Sequence, residues 1–462
     1  MAADERSKDC QEALAFFKNA LQSDPDNISL HINLSNIYTT LGDVESSIQH
    51  LHQALRLNPQ FPEAYNNLGR LLYKQGCFKE AIFYLEKAIR INPRYWEAHY
   101  NIAHCLVKKN QFTEARAHYL EVVKYKPEHA NAHFNLGFIG VSEEDYVSAE
   151  IHFKQVVLIE PQNGEAFRQL GYIYIQLGNT DAAMAALQNA VRLAETFPDA
   201  HHNLAILQLR QENRTDALHH FQMALKLDPT NESAAHMVAA LTGNQRDIAP
   251  PAYISQLFDQ YADHYDVQMK TQLNYQAPFA LRSAIGRLLE QQLKPGRVLD
   301  LGCGTGIAGV YCRDLALELI GVDISEKMLE KAKALMTYES LINMDITDYL
   351  AQPNLDPFDL IIASDVLVYY GDLKPLFSLI HKNLSPKGSF SFTTELLEET
   401  NQDHSYQLQA TGRFAHNEQY IQSISTACDL KIAYHETINL REQKGHPVTG
   451  QLFILQRKES SS

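Results

Sequence analysis

The chain has 462 residues and carries 40 lysines and arginines against 55 acidic residues, a formal net charge of -15. A typical domain holds ~150 residues, so this length predicts two or three domains. The acidic balance argues against a protein that holds a nucleic-acid backbone by charge, and DNA is not expected as a partner. RNA reached through a local basic patch stays open.

Cysteine usage and the start of the chain bear on its compartment. The six cysteines are scattered and form no CxxC pair, which is typical of a reducing environment. The start, MAADERSKDC, is charged where a secretory signal needs an apolar run. We find no stretch of about 18 uncharged apolar residues that would span a membrane. We therefore expect a cytoplasmic protein that is not inserted in a membrane.

The first half of the sequence repeats with a period of 34 residues. Proline holds one repeat position except where Glu195 replaces it: Pro25, Pro59, Pro93, Pro127, Pro161 and Pro229. Small residues recur four positions before large ones, as in Ala81 and Leu85, which places both on one helix face. This predicts two helices per repeat, A and B, with B ending before the proline.

The repeat resembles the tetratricopeptide repeat (TPR), with six complete copies over roughly residues 27–230. A lone B helix precedes them, and an A-like helix at about 231–242 follows them. The resemblance implies an all-α solenoid in which stacked repeats bury the apolar faces that one repeat cannot bury alone.

A row of side-chain amides runs through the predicted A helices, with Gln169 in the fifth repeat: Asn33, Asn67, Asn101, Asn135 and Asn203. Amides donate and accept hydrogen bonds, so such a row can hold an extended peptide by its backbone. It resembles the asparagine ladder of the TPR superhelix in protein-modifying glycosyltransferases. We predict a protein or peptide in the concave groove; the alternative is a row of solvated polar positions.

Histidines share a second column, with Tyr65 and Phe167 in the remaining repeats: His31, His99, His133 and His201. Ligands one repeat apart are about 10 Å apart, whereas zinc binds nitrogen at roughly 2 Å, so we expect no metal. We interpret the column as an aromatic stripe beside the groove.

The repeat register stops in a segment that contains glycine and proline, residues 240–251, which we interpret as a linker. We predict a solenoid over 1–245, a linker and cap helix over 246–270, and an α/β domain over 271–462. Strands alternating with helices predict a largely parallel sheet. The predicted strands cover 298–301, 320–323, 342–345, 359–364, 388–393, 430–437 and 451–456, with a helix over 326–338.

The first strand runs into a glycine-rich turn, Asp300-Leu-Gly302-Cys-Gly304-Thr-Gly306. Glycines let a backbone approach a ligand closely. The third glycine comes one residue too early for the dinucleotide fingerprint, and a Walker lysine is absent. Asp323, at the end of the second strand, is placed to accept both ribose hydroxyls, and Asp345, at the end of the third, to accept the adenine amine. The sequence therefore predicts one nucleoside site at the sheet edge.

The motifs DLGCGTG, GVD and SDVL resemble those of class I S-adenosyl-L-methionine-dependent methyltransferases, over about 255–457. The resemblance implies an α/β doubly wound, Rossmann-like methyltransferase domain with S-adenosyl-L-methionine as cofactor. It implies contacts to the methionine part from Gly302, Gly304 and Gly306, to ribose from Asp323, to adenine from Ile324, Asp345 and Ile346, and to the methionine amine from Asp300, Ser364 and Asp365. With the repeats, the whole chain resembles the predicted TPR-containing methyltransferases.

Residues 257–266 resemble the amphipathic cap that covers the cofactor in related small-molecule and lipid enzymes. Polar clusters follow at 412–416, at Arg441-Glu442 and at 447–450. Methyl transfer depends mainly on alignment and desolvation, so a strong base is optional. If the acceptor must lose a proton, the weak candidates are His404, His416, Tyr369 and Tyr370, each of which is more often a structural residue than a base.

The sequence defines the methyl acceptor less well than it defines the cofactor. The SDVL turn lacks the Asn/Asp-Pro-Pro-aromatic sequence that positions amide and base nitrogens in related enzymes, which disfavours DNA bases and glutamine amides as acceptors. The first hypothesis is an enzyme that methylates a protein or carrier-bound acceptor recruited by the solenoid. The alternatives are a small-molecule methyltransferase whose repeats mediate assembly, and a scaffold that senses the cofactor without turnover.

Overall fold

The computed structural model describes residues 2–194, 196–262, 265–266, 269, 273, 275–289, 296–397, 405–443 and 446–458. The chain divides into two compact units, Met1–Ala200 and His201–Ser462. The division falls earlier in the chain than the predicted boundary at residue 245, inside the A helix of the last repeat.

Helices follow one another through the repeats, and within each repeat helix A packs on helix B, which confirms the predicted all-α solenoid. Their bounds are α1 (Ala2–Ser23), α2 (Ile28–Leu41), α3 (Val44–Leu57), α4 (Pro62–Lys74), α5 (Phe78–Ile91), α6 (Trp96–Lys108), α7 (Phe112–Tyr125), α8 (Ala130–Ser142), α9 (Tyr146–Ile159), α10 (Gly164–Gln176), α11 (Thr180–Leu193), α12 (Pro198–Arg210), α13 (Arg214–Leu227) and α14 (Glu232–Thr242).

The small and large repeat positions meet between the helices of a pair. A Cβ on Gly69 would lie 2.4 Å from Cγ of Leu85, and one on Gly137 would lie 2.6 Å from the Phe153 ring. Leu85 and Phe153 are fully buried, and burying such a side chain contributes about 1.5–3 kcal/mol. In these two repeats, helix A can therefore pack closely on helix B because the glycine has no side chain.

The second unit contains a mixed sheet with helices on its faces, which confirms the predicted α/β doubly wound domain. Its helices after α14 are α15 (Pro251–Tyr261), α16 (Ala277–Leu289), α17 (Ile307–Cys312), α18 (Glu326–Ala334), α19 (Ile346–Ala351), α20 (Lys374–Asn383) and α21 (Glu418–Ala427). Its strands are β1 (Gly296–Leu301), β2 (Ala316–Asp323), β3 (Ser340–Asn343), β4 (Phe358–Ala363), β5 (Leu384–Leu396), β6 (Tyr406–Leu408), β7 (Phe414–His416), β8 (Leu430–Gln443) and β9 (His446–Arg457).

The strand order places the carboxyl ends of the parallel strands at one edge of the sheet. Strands β3, β2, β1, β4 and β5 are neighbours in that order and parallel. Strand β9 pairs antiparallel with β5, and β8 with β9. The end of β5 also pairs with β7, which forms a hairpin with β6. Ligands of such sheets bind at this edge, where the strand order reverses.

Alternating residues of the central strands face two different hydrophobic cores. Leu299 and Leu301 belong to one core, whereas Val298 belongs to the other. The first core also contains Ala239 and Ala240 of α14. The last helix of the repeat array is therefore part of the core of the second unit.

Two predicted boundaries differ from the structure. Strand β3 ends at Asn343, because Asp345 caps helix α19 and accepts from the backbone N–H of Thr347 at 2.7 Å. The helix predicted over 326–338 ends at Ala334, since Met336 takes a left-handed φ of 52° that a helix cannot contain. The hairpin of β6 and β7 was not predicted, because strands of three residues carry no alternation.

Within the described ranges, no helix combines the length and apolar character that a membrane span requires. The same part of the chain contains no group of three or more metal-ligating side chains.

Candidate functional site

The turn after β1 forms the floor of a cavity. Gly302 and Gly304 have φ values of 63° and 55°, which favour glycine. A Cβ on Gly302 would lie 2.4 Å from Val366, whereas one on Gly304 would meet nothing within 4 Å. The Gly304 position therefore leaves open space that a ligand can enter.

Asp323 fixes this turn to the end of β2. Its Oδ2 accepts from the N–H of Gly304 at 2.8 Å, and its Oδ1 accepts from the N–H of Ser325 at 2.8 Å. Burial raises the pKa of Asp323. The carboxylate thus has a structural role in addition to the ribose-binding role that the sequence predicts. Each oxygen keeps a second lone pair for a ligand hydroxyl.

The cavity brings together most of the predicted cofactor residues. Its empty volume of about 560 Å³ includes space that is open to solvent. It is lined by Ile254, Phe258, Tyr265, Gly302, Gly304, Asp323, Ile324, Asp345, Ile346, Ser364, Asp365, Val366, Tyr369 and Tyr370.

The predicted cap lies over this cavity. Ile254 and Phe258 of α15 line it, as does Tyr265. Asp259 accepts from the Ser325 hydroxyl at 2.6 Å, which ties the cap to the start of α18. The cap segment therefore forms part of the wall.

Asp300 does not line the cavity, contrary to the role implied for it at the methionine amine. Side chains of a strand alternate between faces, so Asp300 shares the face of Val298, away from the core that borders the cavity. There its Oδ2 accepts from the Tyr338 hydroxyl at 2.7 Å, and burial raises its pKa to about 7. Gly306 lies behind the turn as well, where a Cβ would lie 3.1 Å from Tyr338.

The four weak catalytic candidates are placed differently. Tyr369 and Tyr370 line the cavity, and the buried Tyr369 hydroxyl has no hydrogen-bond partner among the described residues. His416 is a core residue whose Nε2 donates to the Tyr370 carbonyl at 2.8 Å, and burial lowers its pKa to about 4. His416 is not part of the cavity wall. His404 lies outside the described residues.

Two arginines that the sequence marked only as parts of polar clusters lie beside the wall residue Asp365. Arg413 donates to Asp365 Oδ2 at 3.1 Å, and Arg441 donates to Asp365 Oδ1 at 3.0 Å. Asp365 is therefore already paired, and the Ser364 hydroxyl forms a hydrogen bond of 3.0 Å with the Tyr275 hydroxyl. Both arginines also pair with Glu395, which the sequence did not predict because no motif contains this residue.

In the solenoid, the predicted asparagine row is partly used by the protein itself. The Asn67 amide donates to Asn36 at 3.3 Å, Asn101 to Asn66 at 2.8 Å and Asn135 to the Asn131 carbonyl at 2.6 Å. Each bond uses one of the two N–H groups of the amide, so one N–H and the amide oxygen of each of these asparagines remain for other contacts.

The histidine column is not a stripe beside a groove. Each histidine of helix A is buried and contacts the histidine 19 residues later in helix B of the same repeat, with Nδ1 atoms 2.9–3.1 Å apart. The pairs are His31 with His50, His99 with His118, His133 with His152, and His201 with His220. Where the first position is Tyr65, the second is Tyr84, and where it is Phe167, the second is Ala186.

Comparison with known protein families agrees with both halves of the chain. A family described as a methyltransferase domain matches residues 273–432. Tetratricopeptide-repeat families match 35–76, 104–139 and 171–212, and also 62–95, 84–117 and 198–231. The chain therefore combines tetratricopeptide repeats with a methyltransferase domain.

Curated relatives match the second half. A malonyl-(acyl-carrier protein) O-methyltransferase of Legionella pneumophila is 27% identical over 188 residues, which cover 39% of this chain and 63% of that protein. A protein of the same name from Pseudescherichia vulneris is 30% identical over 142 residues, covering 30% of this chain and 53% of that protein. The chain thus spans less than two thirds of the length of these relatives.

A solved structure resembles the first half: that of YrrB, described as a TPR protein with an unusual peptide-binding site. It is 22% identical and covers 40% of this chain and 96% of that chain, with a TM-score of 0.38.

Proposed function

We propose that this protein is an S-adenosyl-L-methionine-dependent methyltransferase whose TPR solenoid recruits a protein or carrier-bound acceptor. The observation that carries the proposal is the single cavity that joins Gly304, Asp323 and Asp345 at the ends of neighbouring strands. The relatives named for an acyl-carrier protein support a carrier-bound acceptor.

The cavity fits the proposed cofactor. Gly304 leaves open space for the methionine part, and Asp323 keeps lone pairs for the ribose hydroxyls. Ile324 and Ile346 supply apolar walls for the adenine. The Asp345 carboxylate, held in place by Thr347, can accept from the adenine amine.

When bound, the cofactor supplies an electrophilic methyl group on a sulfonium. The residues of this chain align it and exclude water, which is sufficient for an in-line transfer. The cap contributes to the exclusion of water, since Phe258 and Tyr265 line the cavity. Their rings pack edge to face with the ring centroids 6.2 Å apart.

Gly304→Ala tests the cofactor site. The new Cβ projects into open space, so we expect cofactor affinity to fall at least ~10-fold in calorimetry. Gly178→Ala is the matched control, because Gly178 also has a positive φ of 72° and open space, but lies in the solenoid. In both variants, strain of the backbone at the positive φ lowers the free energy of unfolding by about 1 kcal/mol. Equal cofactor affinity in the two variants would contradict the site.

Recruitment by the solenoid is tested with a second matched pair. Asn135 and Asn189 each donate to the carbonyl four residues before them, at 2.6 and 3.0 Å, but Asn135 lies on a helix A and Asn189 on a helix B. We expect Asn135→Ala to raise the KM for the acceptor several-fold at unchanged cofactor affinity, and Asn189→Ala to change neither. If the two variants behave alike, the repeats serve assembly and do not bind the acceptor.

A further inference from the structure

Four charged side chains form what we call the arginine cluster: Asp365, Glu395, Arg413 and Arg441. Arg441 Nη1 donates to both oxygens of Asp365, at 3.0 and 3.2 Å, and Arg441 also pairs with Glu395. Arg413 Nη1 lies 3.1 Å from Asp365 and 3.5 Å from Glu395. Two cations and two anions cancel, so the cluster is neutral and its members hold one another in fixed positions.

Arg413 is the arginine that lies beside the cavity wall, in contact with the wall residues Asp365 and Tyr369. Its side chain is 19% exposed, against 5% for Arg441. Its guanidinium lies 5.6 Å from the ring centroid of Tyr369, which lines the cavity. A guanidinium has five N–H donors, more than the contacts through Nη1 use. Arg413 can therefore donate to a ligand while Arg441 keeps Asp365 paired.

The Tyr369 hydroxyl adds a second unused donor to this wall. It is buried, and no described residue accepts from it or donates to it. A buried hydroxyl without a partner costs roughly 1–3 kcal/mol, and a ligand acceptor atom would remove that cost. A phenol and a guanidinium side by side favour a ligand group that accepts several hydrogen bonds and is negatively charged.

Within the described part of the chain, the wall offers no base that could take a proton from an acceptor. The lining residues include no histidine, lysine or cysteine. Burial raises the pKa of Tyr265, Tyr369 and Tyr370, so these hydroxyls stay protonated at neutral pH. The three carboxylates of the wall already accept hydrogen bonds: Asp365 from the arginines, Asp323 from backbone N–H groups, and Asp345 from the Thr347 N–H and the Tyr370 hydroxyl. An acceptor that has no proton to lose suits this wall.

We propose that the methyl acceptor is a carboxylate, which Arg413 and the Tyr369 hydroxyl hold beside the methyl donor, and that the product is a methyl ester. This inference rests on the proposed function and specifies the acceptor of the same cavity. An oxygen of the carboxylate forms a bond to the methyl carbon while the methyl–sulfur bond breaks and its electron pair stays on sulfur. One negative and one positive charge disappear, which a site that excludes water favours, and no proton moves.

The product class is tested on the full-length protein with a tritiated methyl donor and cell extract. Methyl esters release volatile methanol in alkali, whereas N-methyl and ether products do not. We expect the transferred label to become volatile after alkali treatment. The protein fraction is then treated with neutral hydroxylamine, which cleaves thioesters. If this treatment releases the label as a small molecule, the acceptor is a carboxylate on a group that a thioester links to a carrier. Label that stays with protein identifies a side-chain carboxylate, and label in the small-molecule fraction a free acid. Alkali-stable label overturns the proposal.

Arg413→Met tests the assigned residue. We expect the KM for the labelled acceptor to rise roughly 100-fold, because a charge-paired donor is lost. Arg413→Lys should recover part of the loss, and the cofactor affinity should stay within about twofold in both variants. Arg282→Met is the control, since Arg282 forms an exposed ion pair with Asp314. Equal KM values for the wild-type protein and Arg413→Met overturn the assignment.

A pH profile and a binding measurement complete the test. A carboxylate acceptor needs no base, so kcat/KM should be flat from about pH 6 to 9. A rate that rises with pH in this range contradicts a carboxylate. Failure to bind the cofactor in calorimetry would overturn the proposed function itself. Cofactor binding with no alkali-volatile product would overturn only the carboxylate acceptor.

Discussion

The Nδ1 atoms of His99 and His118 lie 2.9 Å apart and join the two helices of one repeat. His99 Nε2 lies 3.1 Å from the Pro93 carbonyl, which can only accept, so Nε2 carries a proton. Neutral His99 therefore presents a lone pair on Nδ1, and His118 donates to it. The repeat proline supplies the carbonyl that fixes this tautomer, and the pairs at His31 and His133 have the same arrangement.

Exchanging this pair for the tyrosines of the second repeat should preserve stability better than exchanging either member. Tyr65 and Tyr84 stack with ring centroids 6.4 Å apart at the equivalent positions. We expect His99→Tyr and His118→Tyr each to lower the melting temperature, and the double variant to recover much of the loss. Thermal unfolding followed by circular dichroism measures this coupling. Additive losses would show that the two positions are independent.

The histidine pairs should make the protein sensitive to acid. Burial, with a contribution from the partner histidine, lowers the pKa of His118, His152 and His220 from 6.5 to about 4. A histidine with a depressed pKa in the folded state contributes stability that is complete above pH 6.5 and is lost as the pH falls toward 4. The melting temperature, measured at a series of pH values, should therefore fall as the pH is lowered from 6.5 toward 4.

The double tyrosine variant is the control for this pH effect, because it keeps every carboxylate and lacks His118. Its melting temperature should fall less over the same pH range. An identical fall would assign the acid sensitivity to groups other than His99 and His118.

Asp345→Asn should separate cofactor binding from folding. Asparagine also caps helices well, so helix α19 keeps its first hydrogen bond. The new amide places a donor where the adenine amine needs an acceptor, so we expect about 10-fold weaker cofactor binding at an unchanged melting temperature. Asp145→Asn, at the cap of α9, is the control. Unaltered cofactor affinity in Asp345→Asn would remove Asp345 from the site.

Asp300→Asn should stabilise the protein at alkaline pH. Burial raises the pKa of Asp300 from 3.8 to about 7, so the stability linked to its neutral form is complete below pH 3.8 and is lost as the pH rises through 7. Asparagine cannot ionise and can still accept from Tyr338. We expect the melting temperature to rise by a few degrees at about pH 8.5 and by a smaller amount at about pH 5.

The cofactor affinity of Asp300→Asn bears on the sequence-based assignment. A large loss of affinity without a change in melting temperature would restore the role at the methionine amine. An equal shift of the melting temperature at both pH values would contradict the pH linkage.

The sequence predicts well what depends on periodicity. The 34-residue register predicts both helices of each repeat, and the turn from Asp300 to Gly306 predicts the glycine floor of the cavity. It also places Asp323 and Asp345 at one site, because the ends of parallel strands meet at one edge of the sheet.

Contacts between distant segments could not be predicted in the same way. Arg413 and Arg441 lie 28 residues apart in the chain and meet only because β7 and β8 fold near the end of β5. Asp300 lies outside the cavity lining because side chains alternate between the faces of β1, which the motif alone does not indicate. The histidine pairs do have a signal in the sequence, namely the matching residue types 19 positions apart.

Helix α14 has a consequence for any attempt to fuse the methyltransferase domain to another protein. The Nε2 of its His236 donates to the carbonyl of Gly412 at 2.9 Å, next to Arg413, and Ala239 lies in the main core. A cut at residue 245 would expose that core and release the turn that carries Arg413. A functional chimera must therefore include the segment Glu232–Thr242 with the methyltransferase domain, although the sequence of this segment resembles another helix A of the repeats.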